Sequence, residues 1–291
     1  MQIARPGIGL ITNAGAEHLQ GFGSLEGAAR AEGEMVAGLE AAATAVINAD
    51  DEFAGLWRGS TRARVVTFGV RSRADFSAGE VRSEVGALGF RTHFRLSAPH
   101  GSAAIELAVG GAHNVANALA AAAAAASAGA TLEQIASGLA RVSAVPGRLQ
   151  FRQARSGAWL IDDSYNANPS SVRAAIEVLG GLAGSRWLVL GDMAELGEYA
   201  PQAHAGIGEF ARERGVQRLY ATGALMTRAV ESFGAGAYWY ADVASLTAAL
   251  AEALAAAGPG VRILVKGSRF NRLERVVAAL SGEDAAATGG H

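Results

Sequence analysis

Short apolar runs alternate with helix-period segments along the second half of the chain. This alternation is typical of βα units whose strands form a parallel sheet. It predicts strands near residues 158–162, 187–190, 217–222, 237–240 and 261–265, and helices near 170–182, 201–214, 224–233, 243–257 and 271–280. The second half is therefore predicted to be a doubly wound α/β domain, which binds ligands outside the carboxyl ends of its strands.

Polar residues cluster where four of these predicted strands end. The clusters are Asp162–Ser164, Gly191–Asp192, Thr222–Gly223 and Lys266–Arg269. Taken singly, each residue fits a helix cap or a turn better than a functional role. Four such clusters on one sheet edge nevertheless favour a ligand-binding crevice.

The first half has a less regular pattern. It predicts strands near 8–12, 44–48 and 64–68, a helix near 24–38, antiparallel hairpins over 81–109, and a helix from 113 to about 127. Thr131 and Gln134 have the spacing of a capping box, which predicts a further helix ending near Arg141. The Pro146-Gly147 turn signal marks the expected boundary between a domain at 1–146 and one at 147–282, and residues 283–291 are expected to form a frayed tail.

Composition narrows the classes of function. The 25 basic and 27 acidic residues leave a net charge of -2, which gives no electrostatic reason to expect binding to nucleic acid or to an anionic membrane. The absence of Cys excludes disulfides, thiolate-bound zinc and cysteine nucleophiles. The alanine-rich run at 115–130 contains Asn117 and Ser127, so no membrane span is predicted there, and the apolar run at 8–11 is too short for a signal peptide. A cytoplasmic monomer is expected.

The segment from Ile11 to Met35 is a candidate metal site. His18 and Glu32 would converge if the intervening loop and helix fold back, and an oxygen-rich site with one imidazole suits Mg²⁺ or Mn²⁺. Spacing alone favours the alternative, in which His18 is a surface or capping histidine and Glu32 a solvated helix residue.

Two further segments suit nucleotide binding. Asn114 and Asn117 lie at i, i+3 near a helix start, where their amides can read a nucleobase edge or simply cap the helix. Arg148 lies at the proposed hinge and could bind a phosphate in bidentate fashion, and Asp162 or Asp163 could accept bonds from ribose hydroxyls. A turn into the next helix explains the following Asn residues equally well.

Five segments resemble one enzyme family. They are TNAGAEHLQGFGSLEG, GAHNVANALAA, DDSYNANPSSV, LGDMAELGEYAPQAH and VKGSRFNRLERVV. Together they are similar to the Mur ligases of peptidoglycan synthesis, and within them to the ligases that add D-alanyl-D-alanine to UDP-N-acetylmuramoyl-tripeptide. The resemblance runs in order from about residue 5 to 280.

This resemblance implies a fold and a reaction. The fold would be part of a Mur ligase central ATPase domain followed by a complete Rossmann-like C-terminal domain. The reaction would be ATP-dependent amide formation, in which an acyl phosphate of the UDP-N-acetylmuramoyl-tripeptide is attacked by the amine of D-Ala-D-Ala, with Mg²⁺ neutralising phosphoryl charge.

The resemblance also implies site residues. His18 and Glu32 would bind metal, and Asn114 and Asn117 would contact the adenine. The nucleotide would further meet Arg148 and Asp163. The incoming dipeptide would be held by Asn166, Asn168, Lys266, Ser268 and Arg269.

Two departures from the family pattern shape the expectations. The family's domain for the UDP sugar and its phosphate loop would precede Met1, so the chain alone is expected to be inactive. Glu32 stands where the family often has a carbamylated lysine and is hypothesised to supply the same negative charge. The alternatives are a non-catalytic fragment with residual nucleotide or dipeptide binding, and a sister ligase of the folylpolyglutamate or cyanophycin type.

Overall fold

In a computed structural model of the chain, the described residues are 4–15, 19–86 and 89–282. They form two compact units, one comprising residues up to Gly86 with Phe90–Ser143, the other Gly89 with the chain from Ala144 onward. His18 and the predicted tail at 283–291 lie outside the described residues.

The first unit contains one six-stranded sheet and five helices among its described residues. The strands are β1 Ile8–Ile11, β2 Thr44–Asn48, β3 Arg64–Gly69, β4 Phe76–Gly86, β5 Gly89–Ala98 and β6 Gly101–Leu107, in spatial order β1-β2-β3-β4-β5-β6. The helices are α1 Leu19–Phe22, α2 Leu25–Ala37, α3 Ala54–Ser60, α4 Ala112–Ser127 and α5 Leu132–Ala140. The pairs from β1 to β4 are parallel, and β5 with β6 is antiparallel.

Helices cover both faces of the parallel part of this sheet. On β2, Val46 packs in the cluster that includes α4, whereas Ile47 packs with α2 and with Trp57 of α3. Successive strand residues face opposite sides, which explains why every residue of β2 is buried. The Thr131–Gln134 capping box is present at the start of α5.

The second unit has the doubly wound architecture that the sequence predicts. Its strands are β7 Gln150–Gln153, β8 Trp159–Asp163, β9 Ser185–Gly191, β10 Arg218–Thr222, β11 Ala237–Tyr240 and β12 Val261–Lys266, in spatial order β11-β10-β9-β12-β8-β7. Its helices are α6 Pro169–Gly180, α7 Ala200–Glu213, α8 Met226–Phe233, α9 Val243–Ala257 and α10 Glu274–Ser281. All strand pairs are parallel except β7 with β8.

Strand β12 lies in the middle of this sheet, because the chain crosses from β7 to the edge strand β11 and then returns through α9. Helices α6, α7 and α8 pack on one face, and α9 and α10 pack on the other. Because β12 is inserted between β8 and β9, the loops that follow β8 and β12 lead to opposite faces. A crevice opens at such a switch point, and this is where doubly wound folds bind ligands.

Among the described residues, one segment has the length and apolar composition of a membrane-crossing helix, namely Val243–Gly260. It consists of α9 and the turn after it, rather than the alanine-rich run at 115–130. In this structure the leucine stripe Leu246, Leu250 and Leu254 packs on the sheet of the second unit. The rest of the helix is largely alanine, which raises its hydropathy without adding large apolar side chains.

Candidate functional site

Three loops of the second unit meet at the switch point, and strand register decides which of their residues are neighbours. Lys266, the last residue of β12, pairs with Asp163 of β8 on one side and with Leu190 of β9 on the other. The only lysine of the sequence therefore lies in the middle of the carboxyl edge.

Lys266 and Asp163 form a buried ion pair. The Lys266 Nζ lies 2.7 Å from Asp163 Oδ2, and both side chains are largely buried. The ammonium also donates to the Asn166 carbonyl at 2.8 Å, and the Leu149 N–H donates to Asp163 Oδ1 at 3.1 Å. Burial raises the pKa of the Asp163 carboxyl above its ordinary value, while the Lys266 ammonium and the Leu149 amide oppose that rise. Both charged groups thus hold neighbouring loops in place.

The adjacent Asp162 makes a separate set of contacts. Its Oδ1 accepts the Ser164 hydroxyl at 2.6 Å and the Ser164 N–H at 3.1 Å. Its Oδ2 lies 3.7 Å from Arg152 Nε of the edge strand β7. Of the two carboxylates that could meet a ribose, Asp162 is thus the one that stabilises the turn after β8 and the edge of the sheet.

Ser268 and Asn271 tie the three loops together. The Ser268 hydroxyl donates to the Ala167 carbonyl at 3.1 Å and accepts the Ala194 N–H at 2.9 Å. The Asn271 amide donates to the Asp192 carbonyl at 2.8 Å, and its oxygen accepts the Asp192 N–H at 3.1 Å. The loops after β8, β9 and β12 are therefore joined by buried and partly buried hydrogen bonds, which hold them in place at the carboxyl edge of the sheet.

Asp192 and His204 complete this network; the sequence places Asp192 in one of the polar clusters at the strand ends but gives it no ligand, and it does not single out His204. Asp192 Oδ1 accepts the Met226 N–H at 2.9 Å, which satisfies a donor at the start of α8. His204 Nε2 accepts the Met193 N–H at 3.0 Å, so Nε2 carries no proton and Nδ1 donates to the Ala200 carbonyl at 2.6 Å. Burial lowers the pKa of His204, while the Ala200 carbonyl and the Asp192 carboxylate oppose this. Both residues lie in the LGDMAELGEYAPQAH segment, which is the signal that could have identified them.

Arg148 lies beside the turn after β8. Its guanidinium stacks over the Tyr165 ring, with Cζ 4.5 Å from the ring centroid. Both side chains are exposed, and no described carboxylate pairs with Arg148. The arginine is thus available to an anionic ligand at the crevice.

The other predicted dipeptide residues divide into buried and exposed groups. Asn168 caps α6, because its side-chain oxygen accepts the Ser171 N–H at 2.7 Å and the Ser170 hydroxyl at 2.8 Å. Asn166 is exposed. Arg269 is exposed as well, and its guanidinium lies 3.8 Å from the Glu274 carboxylate. Asn166 and Arg269 are therefore the members of this group that solvent reaches.

In the first unit, the predicted adenine-binding residues lie at the start of α4. The Asn114 side-chain amide donates to the Gly110 carbonyl at 2.7 Å, which is a local bond to a residue two positions before the helix. Asn117 is exposed one turn further on. The Asn114 amide thus makes a local bond that caps no helix N–H, whereas the Asn117 amide is open to solvent.

The described residues of the first unit do not by themselves assemble a metal site. Glu32 is exposed on α2, and no group of three His, Cys, Asp or Glu among the described residues could hold an ion. The carboxylates that follow β2 accept backbone amides: Asp50 those of Val70, Arg71 and Ser72, and Asp51 those of Ala14 and Phe53. Burial alone would raise the pKa of Asp50, but these amide bonds hold it below its ordinary value. Metal binding through Glu32 and His18 stays a prediction.

Comparison with known families covers most of the chain. The Mur ligase middle domain matches residues 1–125, and the Mur ligase glutamate ligase domain matches residues 147–269. The UDP-N-acetylmuramoyl-tripeptide–D-alanyl-D-alanine ligase of Escherichia coli is 41% identical over 282 residues, which are 96% of this chain and 61% of the relative.

Solved structures agree with these matches. A crystal structure of MurF from Acinetobacter baumannii has a TM-score of 0.89 and 31% identity, covering 97% of this chain and 61% of that one. A MurF ligase from Thermotoga maritima in complex with ADP has a TM-score of 0.84 at 24% identity, covering 97% and 63%, and so shows the fold alone. This chain spans about three fifths of the length of the proteins it matches.

Proposed function

The chain belongs to the Mur ligase family, and we propose that it forms the adenine-contacting and dipeptide-binding part of an ATP-dependent ligase. The proposed reaction joins D-alanyl-D-alanine to UDP-N-acetylmuramoyl-tripeptide. The observation that carries this proposal is the similarity to a ligase with that name over 96% of the chain. The location proposed is the cytoplasm.

The proposed chemistry consumes ATP and forms one amide bond. The terminal carboxylate of the tripeptide takes the γ-phosphoryl group of ATP, which releases ADP and gives an acyl phosphate. The dipeptide amine then attacks the acyl carbon, and the tetrahedral intermediate collapses with loss of inorganic phosphate and of the amine proton. A rigid site is required because the amine must be held against the acyl carbon while water is excluded.

Two exposed arginines of the second unit are proposed to bind the anionic groups of the nucleotide and of the dipeptide. Arg148 suits a phosphate of the nucleotide, because its guanidinium offers paired donors and no described carboxylate occupies it. Arg269 suits the carboxylate of the dipeptide, and the exposed Asn166 amide suits its peptide group.

Lys266 and Ser268 are proposed to act indirectly. Lys266 is paired with Asp163 and bonded to the Asn166 carbonyl, so it fixes the loop that presents Asn166. Ser268 fixes the same loop through the Ala167 carbonyl. In this proposal Lys266 and Ser268 position the residues of the dipeptide site and do not themselves contact the dipeptide. Asp163 has a similar role for the nucleotide, because it accepts the N–H of Leu149, the residue after Arg148.

In the first unit, Asn114 and Asn117 are proposed to face the adenine. Glu32 and His18 are proposed to take part in binding Mg²⁺, which would neutralise charge on the transferring phosphoryl group. The exposed position of Asn117 and of Glu32 is compatible with ligand contact.

The test is product formation by a form of the protein extended to the full length of its relatives. It is incubated with ATP, UDP-N-acetylmuramoyl-tripeptide and either D-Ala-D-Ala or L-glutamate, and products are identified by mass. A pentapeptide product formed only with D-Ala-D-Ala is expected. Incorporation of glutamate instead would favour the folylpolyglutamate type of ligase, and absence of both products with phosphate release abolished would contradict the proposal.

A further inference from the structure

Tyr165 lies at the carboxyl edge of the second unit's sheet, and the sequence motifs assign it no role. It lies in the turn after β8, between Ser164 and Asn166, and 48% of it is exposed. Its ring is covered on one face by the Arg148 guanidinium, at 4.5 Å from Cζ to the centroid. A cation over an aromatic face is attracted by that face, which restricts the orientations that the guanidinium samples.

The backbone on both sides of Arg148 is attached to the backbone and side chains around Tyr165. The Tyr165 N–H donates to the Gly147 carbonyl at 3.1 Å, and the Leu149 N–H donates to Asp163 Oδ1 at 3.1 Å. Gly147 has φ +72, and a Cβ there would lie 3.1 Å from the Tyr165 nitrogen. The chain at Gly147 therefore approaches Tyr165 in a conformation that favours glycine.

These two hydrogen bonds fix the position of the Arg148 backbone, and the contact with the Tyr165 ring restricts the orientation of the guanidinium. An exposed arginine otherwise samples many rotamers, and a ligand that binds it must restrict them at a cost in affinity. Among the described residues no carboxylate holds Arg148, so the ring is its one ordering contact. The contact with Arg148 is made by the face of the Tyr165 ring.

We propose that Tyr165 is a positioning residue that holds the Arg148 guanidinium in the orientation used to bind a phosphate of the nucleotide. This inference rests on the proposed function, because it takes Arg148 as the residue that contacts ATP. Tyr165 itself acts through Arg148 and touches neither reacting atom.

The experiment measures KM for ATP and kcat in the ligase extended to the full length of its relatives. The variants are Tyr165→Leu, Tyr165→Phe, Arg148→Ala and the double variant Arg148→Ala with Tyr165→Leu. Tyr199→Leu is the matched control, because Tyr199 is equally exposed at 48% and stacks on no cation among the described residues.

Tyr165→Leu is expected to raise KM for ATP about two- to five-fold with little change in kcat, which corresponds to an exposed cation–π contact. Tyr165→Phe keeps the ring face and is expected to keep KM near the unmodified value, whereas Tyr199→Leu leaves it unchanged. Arg148→Ala is expected to raise KM by about ten-fold or more, since hydrogen bonds to charged groups are lost. Adding Tyr165→Leu to Arg148→Ala is expected to have no further effect.

A second measurement checks the stacking directly. The side-chain protons of Arg148 next to the guanidinium should show an upfield ring-current shift in the NMR spectrum, which Tyr165→Phe retains and Tyr165→Leu abolishes. Two results would overturn the role of Tyr165 and leave that of Arg148 standing. One is an unchanged KM for ATP in Tyr165→Leu; the other is the same fold-increase in KM from Tyr165→Leu whether or not Arg148 is present. An unchanged KM in Arg148→Ala would instead overturn the nucleotide role of Arg148, and the role of Tyr165 with it.

Discussion

Lys266 and Asp163 are register partners on neighbouring strands, and their charged groups are 2.7 Å apart in the interior of the second unit. The pair lies where β12 enters between β8 and β9. Because Lys266 also bonds the Asn166 carbonyl and Asp163 the Leu149 amide, one ion pair connects three segments of chain. The pair therefore orders the three segments that it connects and neutralises two buried charges.

Removing one partner of this pair should destabilise the chain strongly. Lys266→Met leaves the Asp163 carboxylate buried without its cation and is expected to lower the free energy of unfolding by about 3–5 kcal/mol. Urea denaturation followed by circular dichroism measures the loss. Adding Asp163→Asn should restore part of the lost free energy of unfolding, because the buried charge is then gone. A Lys266→Met variant as stable as the unmodified chain would show that the ion pair does not stabilise the fold.

Arg269→Met should separate binding from stability. The side chain is 64% exposed, so its replacement is expected to change the free energy of unfolding by less than about 0.5 kcal/mol. If Arg269 binds the dipeptide carboxylate, KM for D-Ala-D-Ala in the full-length form should rise by about ten-fold, with KM for ATP unaffected. An unchanged KM for the dipeptide would exclude this arginine from the site.

His204 should make the chain less stable in mild acid. Its pKa is lowered in the folded state by burial, so the unfolded state, with an ordinary value of 6.5, binds the proton more tightly. The stabilisation is present above about pH 6.5 and is lost as the pH falls through the folded-state pKa. Urea midpoints at pH 7.5 and 5.5 should differ less in His204→Gln than in the unmodified chain.

The control for this pH effect is His100→Gln, because His100 is exposed. That variant should keep the full pH dependence between pH 7.5 and 5.5. A His204→Gln variant with the same pH dependence as the unmodified chain would contradict the assignment of a neutral, buried imidazole.

Gly223→Ala should disturb the contact between Asp192 and the start of α8. Gly223 has φ +109, and a Cβ there would meet the Asp192 carboxylate closer than real Cβ atoms approach. A loss of about 1–3 kcal/mol in the free energy of unfolding is expected from strain and the weakened cap. Gly138→Ala is the matched control: it lies within α5 with nothing near its Cβ position, and it should stabilise the chain by up to about 1 kcal/mol.

Glu32→Ala tests whether this carboxylate replaces a carbamylated lysine. In the full-length form it is expected to raise the Mg²⁺ concentration needed for half-maximal turnover, since one anionic group near the metal is lost. Glu34→Ala is the control, because Glu34 lies on the same helix and is also exposed. An identical Mg²⁺ dependence in both variants would refute the hypothesis for Glu32.

The elements that sequence analysis missed are the ones with little pattern of their own. Strand β7, with sequence QFRQ, has no apolar run and exists because it pairs antiparallel with the edge of β8. Helix α3 has seven residues and no side-chain cap, and its Trp57 is fully buried, with Nε1 donating to the Ala29 carbonyl at 2.8 Å. Tertiary contacts stabilise both, and local sequence does not record such contacts.

The sequence by itself determined the βα alternation of the second unit, the capping box of α5 and the polar residues at the strand ends, because periodicity and capping act within a few residues. Its motifs also placed the chain among the Mur ligases. Only the tertiary structure decided which polar residues meet. Lys266 and Asp163 are distant in sequence, and Ser268 and Asn271 reach the loops after β8 and β9 because β12 enters the sheet between those two strands. Strand order and register are set by packing the whole sheet between two helix layers, which no local pattern encodes.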